Sequence, residues 1–242
     1  MGAKANAARG ICVFRTVTSI AVFTMLSTIA HAHGSIVSTT VAKAMAAQPN
    51  RTRGSELYEK RCKSCHGIKG WGDGLEDVPS LAGQRELYLV TQLAQFAAQE
   101  RSGSTMHKAT STADVNNPQA LRNLAAFLSL APPNPEPEHA EDAVPASGAS
   151  LFQRNCAACH GAAAQGSSTD PIPALAGQHY DYLLIQLKTF ARGHRGRINA
   201  PVIDFAAGLS DDEQRSIADY LSRLKPSAPA THTGAIALDS RL

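Results

Sequence analysis

Aromatic side chains make up only 5% of the 242 residues, with a single tryptophan, and methionine and cysteine are scarcer still at four and five. Five cysteines are too few for a small scaffold held together by disulfides. After the first thirty residues no apolar run reaches the length of roughly 20 residues that a membrane-spanning helix needs. Glycine and proline, at 18 and 13, lie within ordinary globular usage, and 43% of the residues are hydrophobic. Collagen, a long coiled coil and wholesale disorder are therefore excluded. A chain of this length can bury one or two cores.

The N-terminus reads as an export signal. Lys4, Arg9 and Arg15 precede an apolar stretch over residues 16–30, and Ala30-His31-Ala32 supplies a small-x-small cleavage pattern. Residues 1–32 are then a signal peptide, cleaved near Ala32, and the mature chain starts near His33 in the periplasm. A second such pattern ends at Ala44, and an uncleaved anchor is the alternative reading. The segment holds three of the 23 basic residues and none of the 20 acidic ones, so the mature chain is formally neutral. Nucleic acid loses its electrostatic motive as a partner. Cys12 leaves with the signal, in no lipobox-like context, and four cysteines remain.

Those four lie in two copies of one unit. Residues 62–97 align without a gap on residues 156–191, with 16 of 36 positions identical. Tyr88, Gln92, Leu93 and Phe96 match Tyr182, Gln186, Leu187 and Phe190. The expected organisation is a first domain over 50–130, a linker over 131–147, a second domain over 148–226 and a flexible tail over 227–242. Four prolines between Pro132 and Pro137, followed by acids, suggest an extended, solvated connector.

Each repeat carries helical periodicity. Leu89, Leu93, Phe96 and Ala97 form a helical stripe repeated by Leu183, Leu187, Phe190 and Ala191. Asn117-Pro118 starts a last helix in the first repeat, and Ser210 with Glu213 forms a capping box for its counterpart. No alternating strand pattern competes, so the expected fold class is all-α.

Each cysteine pair reads C-x-x-C-H: Cys62, Cys65 and His66, then Cys156, Cys159 and His160. This is the attachment signature of haem c. Two thiols one helical turn apart can form thioethers with the two vinyl groups of one porphyrin, and the next histidine supplies the proximal nitrogen to iron. One zinc shared by four cysteines would need loops from both repeats. A thioredoxin-like pair would need βαβ surroundings, and two disulfides would leave the repeated histidine unexplained.

Both halves resemble class I c-type cytochrome domains, and the tandem resembles the dihaem cytochrome c4 family of bacteria. Beyond the cysteine motif, the resemblance rests on P-x-L-A-G-Q followed by Y-L-x-x-Q-L-x-x-F, at Pro79 to Phe96 and Pro173 to Phe190. It implies two covalently bound haem c groups. It also implies that the carbonyls of Pro79 and Pro173 accept the free N–H of His66 and His160.

In that family a late methionine completes each iron's coordination. Met106, 40 residues after His66, fits this role for the first haem. The second repeat has none: the position 40 residues after His160 is Ala200, followed by Pro201 and Val202, and no methionine follows Met106. The second iron is then open, water-bound or capped by His194, with His179 and Lys188 as further bases. His107, His139 and His232 read as exposed polar residues.

The expected function is single-electron transfer between redox proteins. The donor is a dehydrogenase or quinol-oxidising complex and the acceptor a terminal oxidase or reductase, reached by peripheral association with membrane complexes. No catalytic residue is required. The rival expectation makes the second haem a reactive or small-ligand site fed by the first, with Arg195, Arg197 and Asp204 as the only acid–base candidates. A tightly held subunit of a larger dehydrogenase is a third possibility.

Overall fold

Side-chain caps mark the starts of three of the described helices. The computed structural model describes residues 36–195 and 200–227; the expected signal peptide, Arg197, His232 and all of the tail beyond Ser227 lie outside them. Helix α1 covers residues 36–46. The first repeat continues through α2 (Arg51–Arg61), α3 (Lys63–His66), α4 (Glu86–Ala97), α5 (Ser104–Thr110) and α6 (Pro118–Leu128). The second runs through α7 (Gly148–Asn155), α8 (Ala157–His160), α9 (Tyr180–Ala191), α10 (Ala200–Ala207) and α11 (Asp211–Arg223). The Asn50 side chain accepts the Arg53 N–H at the start of α2, and Asn117 does the same for Ala120 before Pro118. Ser210 and Glu213 form the capping box of α11. Among the described residues the fold is all-α, with one isolated bridge between Asp73 and Val78.

The two repeats close on separate cores. Tyr58, Leu89, Val90, Leu121, Leu124 and Leu128 build the first; Leu151, Phe152, Leu183, Ile217 and Leu221 build the second. In each, the entry helix crosses the last helix, α2 on α6 and α7 on α11. Glycine makes both crossings possible. A Cβ on Gly54 would overlap the Asn123 carbonyl, and one on Gly148 would overlap the Ser216 carbonyl. Tilted ring pairs flank the crossings, Tyr58 on Phe127 at 5.6 Å and Phe152 on Tyr220 at 5.8 Å.

Two features depart from the sequence reading. Helix α1 precedes the boundary expected at residue 50 and packs Val37, Val41, Ala44 and Met45 onto the first core. Arg122 holds its end through the Ala47 carbonyl and the Met45 sulfur. A cut after Ala44 would strip Val37 and Val41 from that core. The connector, for its part, is extended but not freely solvated. Trp71 Nε1 donates to the Pro132 carbonyl at 2.8 Å, the Ala140 N–H to Asp219 at 3.3 Å and the Tyr180 N–H to the Glu138 carbonyl at 3.2 Å. Prolines remove competing N–H groups, and these bonds, with the Glu138 N–H on His179 Nδ1, tie the strap to both repeats.

Within one compact unit, the repeats meet across a pseudo-twofold seam. Gln178 accepts the Ser80 N–H and donates to the Ser80 carbonyl, both at 2.9 Å. Gln84 makes the same pair with Ala174, at 2.8 and 2.9 Å. Arg101 donates to Tyr182 at 2.9 Å, and its counterpart Arg195 donates to Tyr88 at 2.8 Å. Each arginine also engages a seam glutamine, Gln92 or Gln186.

Candidate haem sites

Each cysteine pair sits at a helix junction. Cys62 ends α2 and opens α3; Cys156 does so between α7 and α8. The His66 N–H bonds the Cys62 carbonyl and the His160 N–H the Cys156 carbonyl, both at 2.9 Å, so thiols and histidine share one helical turn. All four thiols are free. The first of each pair is half-buried and the second exposed. Burial, with the neighbouring cysteine, pushes Cys62 and Cys156 up to about 11, so both are uncharged thiols near neutral pH.

The histidines are oriented by matched contacts. His66 Nδ1 lies 3.1 Å from the Pro79 carbonyl, and His160 Nδ1 lies 3.1 Å from the Pro173 carbonyl. A carbonyl can only accept, so Nδ1 carries the proton and the Nε2 lone pair is left free. Burial lowers both imidazole pKa values against the raising effect of these bonds, which keeps the rings neutral. Behind each ring, the N–H of Gly72 or Gly166 bonds the histidine's own carbonyl. Both glycines adopt positive φ, at 76° and 71°, and a Cβ on Gly72 would overlap the Val78 carbonyl.

These donors fit haem c and not a shared zinc. Among the described residues no group of three or more His, Cys, Asp or Glu is placed to hold a metal ion. Each repeat instead offers two free thiols and one neutral imidazole. The seam adds a second observation: Arg101 and Arg195 are buried without an ion pair among the described residues, and Arg195 Nε has no partner. Both guanidiniums otherwise meet only neutral groups and the faces of Phe96 and Phe190, and a haem propionate is an anion that Arg195 Nε–H could bond.

Met106 is half-buried on α5. It is the third residue of that helix and lies four before Thr110, the residue α5 buries at 2% exposure. In α10 the residue four before fully buried Ala206 is Val202. Val202 rather than Ala200 is therefore the counterpart of Met106.

The spare bases of the second repeat are placed differently from one another. His179 is buried and both its nitrogens are engaged: Nδ1 faces the Glu138 N–H at 3.3 Å, and Nε2 lies 2.7 Å from the Trp71 carbonyl. His194 is exposed, its N–H on the Thr189 carbonyl and its own carbonyl accepting from Ser102 Oγ at 3.0 Å. Lys188 is half-buried on α9. Of the acid–base candidates, Arg195 is committed to the seam and Asp204 is exposed. His107 and His139 are not simply exposed: the first bonds the Phe96 carbonyl at 2.9 Å and the second bonds Ser222 at 3.0 Å.

Two cysteine-linked imidazole sites, one in each all-α repeat, define a dihaem class I c-type cytochrome. The Cytochrome c family model matches residues 52–130 and 145–225, and the chain belongs to that family. It is similar to cytochrome c4 of Thiocapsa roseopersicina, 33% identical over 174 residues covering 67% of this chain and 86% of the relative. It is also similar to a thiosulfate dehydrogenase electron acceptor of Thiomonas intermedia (strain K12), 30% identical over 187 residues covering 72% and 82%. The structure of cytochrome c4 from Pseudomonas stutzeri matches with a TM-score of 0.61 at 25% identity, over 74% of this chain and all of that one. A thiosulfate dehydrogenase from Marichromatium purpuratum matches with a TM-score of 0.63 at 29% identity, over 72% of this chain. This chain spans only 40% of that enzyme's length. The protein is a dihaem electron-transfer cytochrome that binds two haem c groups covalently and works with redox-protein partners.

Proposed function

We propose that the chain is an exported, periplasmic carrier of single electrons in which Cys62 and Cys65 hold the first haem and Cys156 and Cys159 the second. His66 and His160 supply the proximal nitrogens, Pro79 and Pro173 hold those rings by their Nδ1–H groups, and Met106 supplies the distal sulfur of the first site. When bound, haem iron takes up and releases one electron at a time. The chain's own part is to keep each imidazole neutral and aimed, and to hold the two repeats in one orientation. The matched 3.1 Å bonds from the histidines to the proline carbonyls carry this reading, because they leave Nε2 free beside free thiols in both repeats.

Arg101 and Arg195 would face haem propionates, which supply the anion the seam lacks. The donor is a dehydrogenase or a quinol-oxidising complex and the acceptor a terminal oxidase, met by peripheral association with the membrane. The relative named as a thiosulfate dehydrogenase electron acceptor supports a sulfur-oxidising dehydrogenase as one donor. The test is a haem count and a redox titration of the periplasmic protein, followed by reduction with such a dehydrogenase. Two reversible one-electron steps and rapid reduction without turnover of thiosulfate by the chain alone are expected. Turnover by the chain alone would overturn the carrier reading.

A further inference from the structure

The distal helices of the two repeats offer their irons different chemistry. Helix α5 carries a thioether four residues before its buried Thr110, and α10 carries Val202 four before its buried Ala206. Nothing else on α10 replaces the sulfur. Val202, Ile203 and Phe205 are half-buried, Ala206 is fully buried, and Asp204, its sole charged residue, is exposed. Phe205 packs on the second core with Leu184, Leu187 and Leu209.

The helix end beneath offers no spare donor either. Gln214 stands where the first repeat buries Leu121, and it is itself buried. Its Nε2 points to the carbonyls of Ala206 and Leu209, at 3.3 and 3.5 Å, while its Oε1 has no partner. His179 is excluded as a replacement ligand because both ring nitrogens are occupied.

From these observations we infer that the second haem lacks a sixth ligand from α10 and binds an uncharged diatomic gas, of the class of carbon monoxide or nitric oxide, while the first haem does not. The inference rests on the two-haem reading above. An anion bound at iron needs a hydrogen-bond donor or a cation to offset its charge, and neither α10 nor Gln214 supplies one. A neutral diatomic needs only the open position and an apolar wall.

The experiment is titration of the dithionite-reduced, haem-loaded chain with carbon monoxide, followed by the Soret shift and by flash photolysis. One carbon monoxide per two haems is expected. Val202→Met should abolish that shift by restoring a thioether, and Met106→Ala should double it. No shift in the wild-type chain, or a shift that survives Val202→Met in a folded, fully haem-loaded protein, would overturn the inference. A shift gained only on His194→Ala or Lys188→Ala would overturn it as well, by naming the base that closes the site. If Val202→Met does not fold, the wild-type stoichiometry and Met106→Ala decide. The carrier reading has its own readout: two reversible redox steps with no carbon monoxide uptake would sink this inference alone, and fewer than two haems would sink both.

Discussion

In the first repeat Tyr58 leads into the cysteine pair, and its hydroxyl bonds the Gly67 carbonyl at 2.6 Å; in the second, Phe152 takes that place and the bond has no counterpart. The first repeat puts Met106 on its distal helix, the second Val202. The first is buttressed by α1, whereas the second core takes Ala140 from the connector. Against these differences, the histidine–proline bonds match at 3.1 Å, and the seam contacts exchange partners with near-equal lengths. Duplication has thus kept the proximal side and the interface alike while the distal side diverged. The proximal contacts hold the cofactor and the seam holds the repeats together, so both resist change. The distal position governs what the iron can bind and can change without unfolding the domain.

The largest effect expected on this comparison comes from the thiols. Replacing Cys62 and Cys65 by alanine, or Cys156 and Cys159, removes one covalent haem per chain, so the pyridine haem assay falls by half in either variant. Loss of both haems from one such variant would break the independence of the sites. Next come the crossing glycines. Gly54→Ala and Gly148→Ala each push a methyl into backbone rather than a yielding side chain, and each costs about 3 kcal/mol, the upper end for overpacking. Denaturant unfolding of the loaded protein followed by far-ultraviolet circular dichroism measures this, and unequal losses would show that the two crossings are not equivalent.

The seam glutamines rank third. Gln84→Ala and Gln178→Ala each leave two backbone N–H groups and one carbonyl without their side-chain partner, at about 2 kcal/mol. Because either change opens the same interface, the double variant should cost less than the sum of the two, which a double-mutant cycle in urea measures. The smallest effect belongs to the connector. Burial first, then the charge of Arg223, lowers the His139 pKa below 6.5, with Asp219 opposing. The folded state therefore prefers the neutral ring. Its contribution is present above pH 6.5 and is lost as pH falls through the unfolded value toward the folded one. Stability measured from pH 7 to pH 5 should decline less in His139→Gln than in the parent.

The site was legible where its members are close in sequence. Cys62, Cys65 and His66 span one turn, and the thirteen-position step from His66 to Pro79 recurs from His160 to Pro173, with Gly67 and Gly72 matched by Gly161 and Gly166. What escaped was what lies beyond the aligned block. Gly54 with Gly148, and Arg101 with Arg195, keep the same offset of 94 residues as the cysteines. Carrying that offset outward in both directions would have found all four. The connector is legible only in part: its prolines favour extension and Glu136, Glu141 and Asp142 are exposed, but nothing local reveals which surfaces an extended strand will cross.

Sequence alone settled the helical class, the duplication, the haem chemistry and the loss of a second methionine, since each depends on residue identity at short spacing or on simple repetition. Tertiary structure decided the rest. It brought Gln84 to Ala174 and Arg195 to Tyr88 across 90 and 107 residues. It tied both nitrogens of His179 to backbone groups, and its burial register matches Met106 with Val202 rather than Ala200. Each of these is set by how helices seat against one another, which no short-range pattern in the sequence encodes.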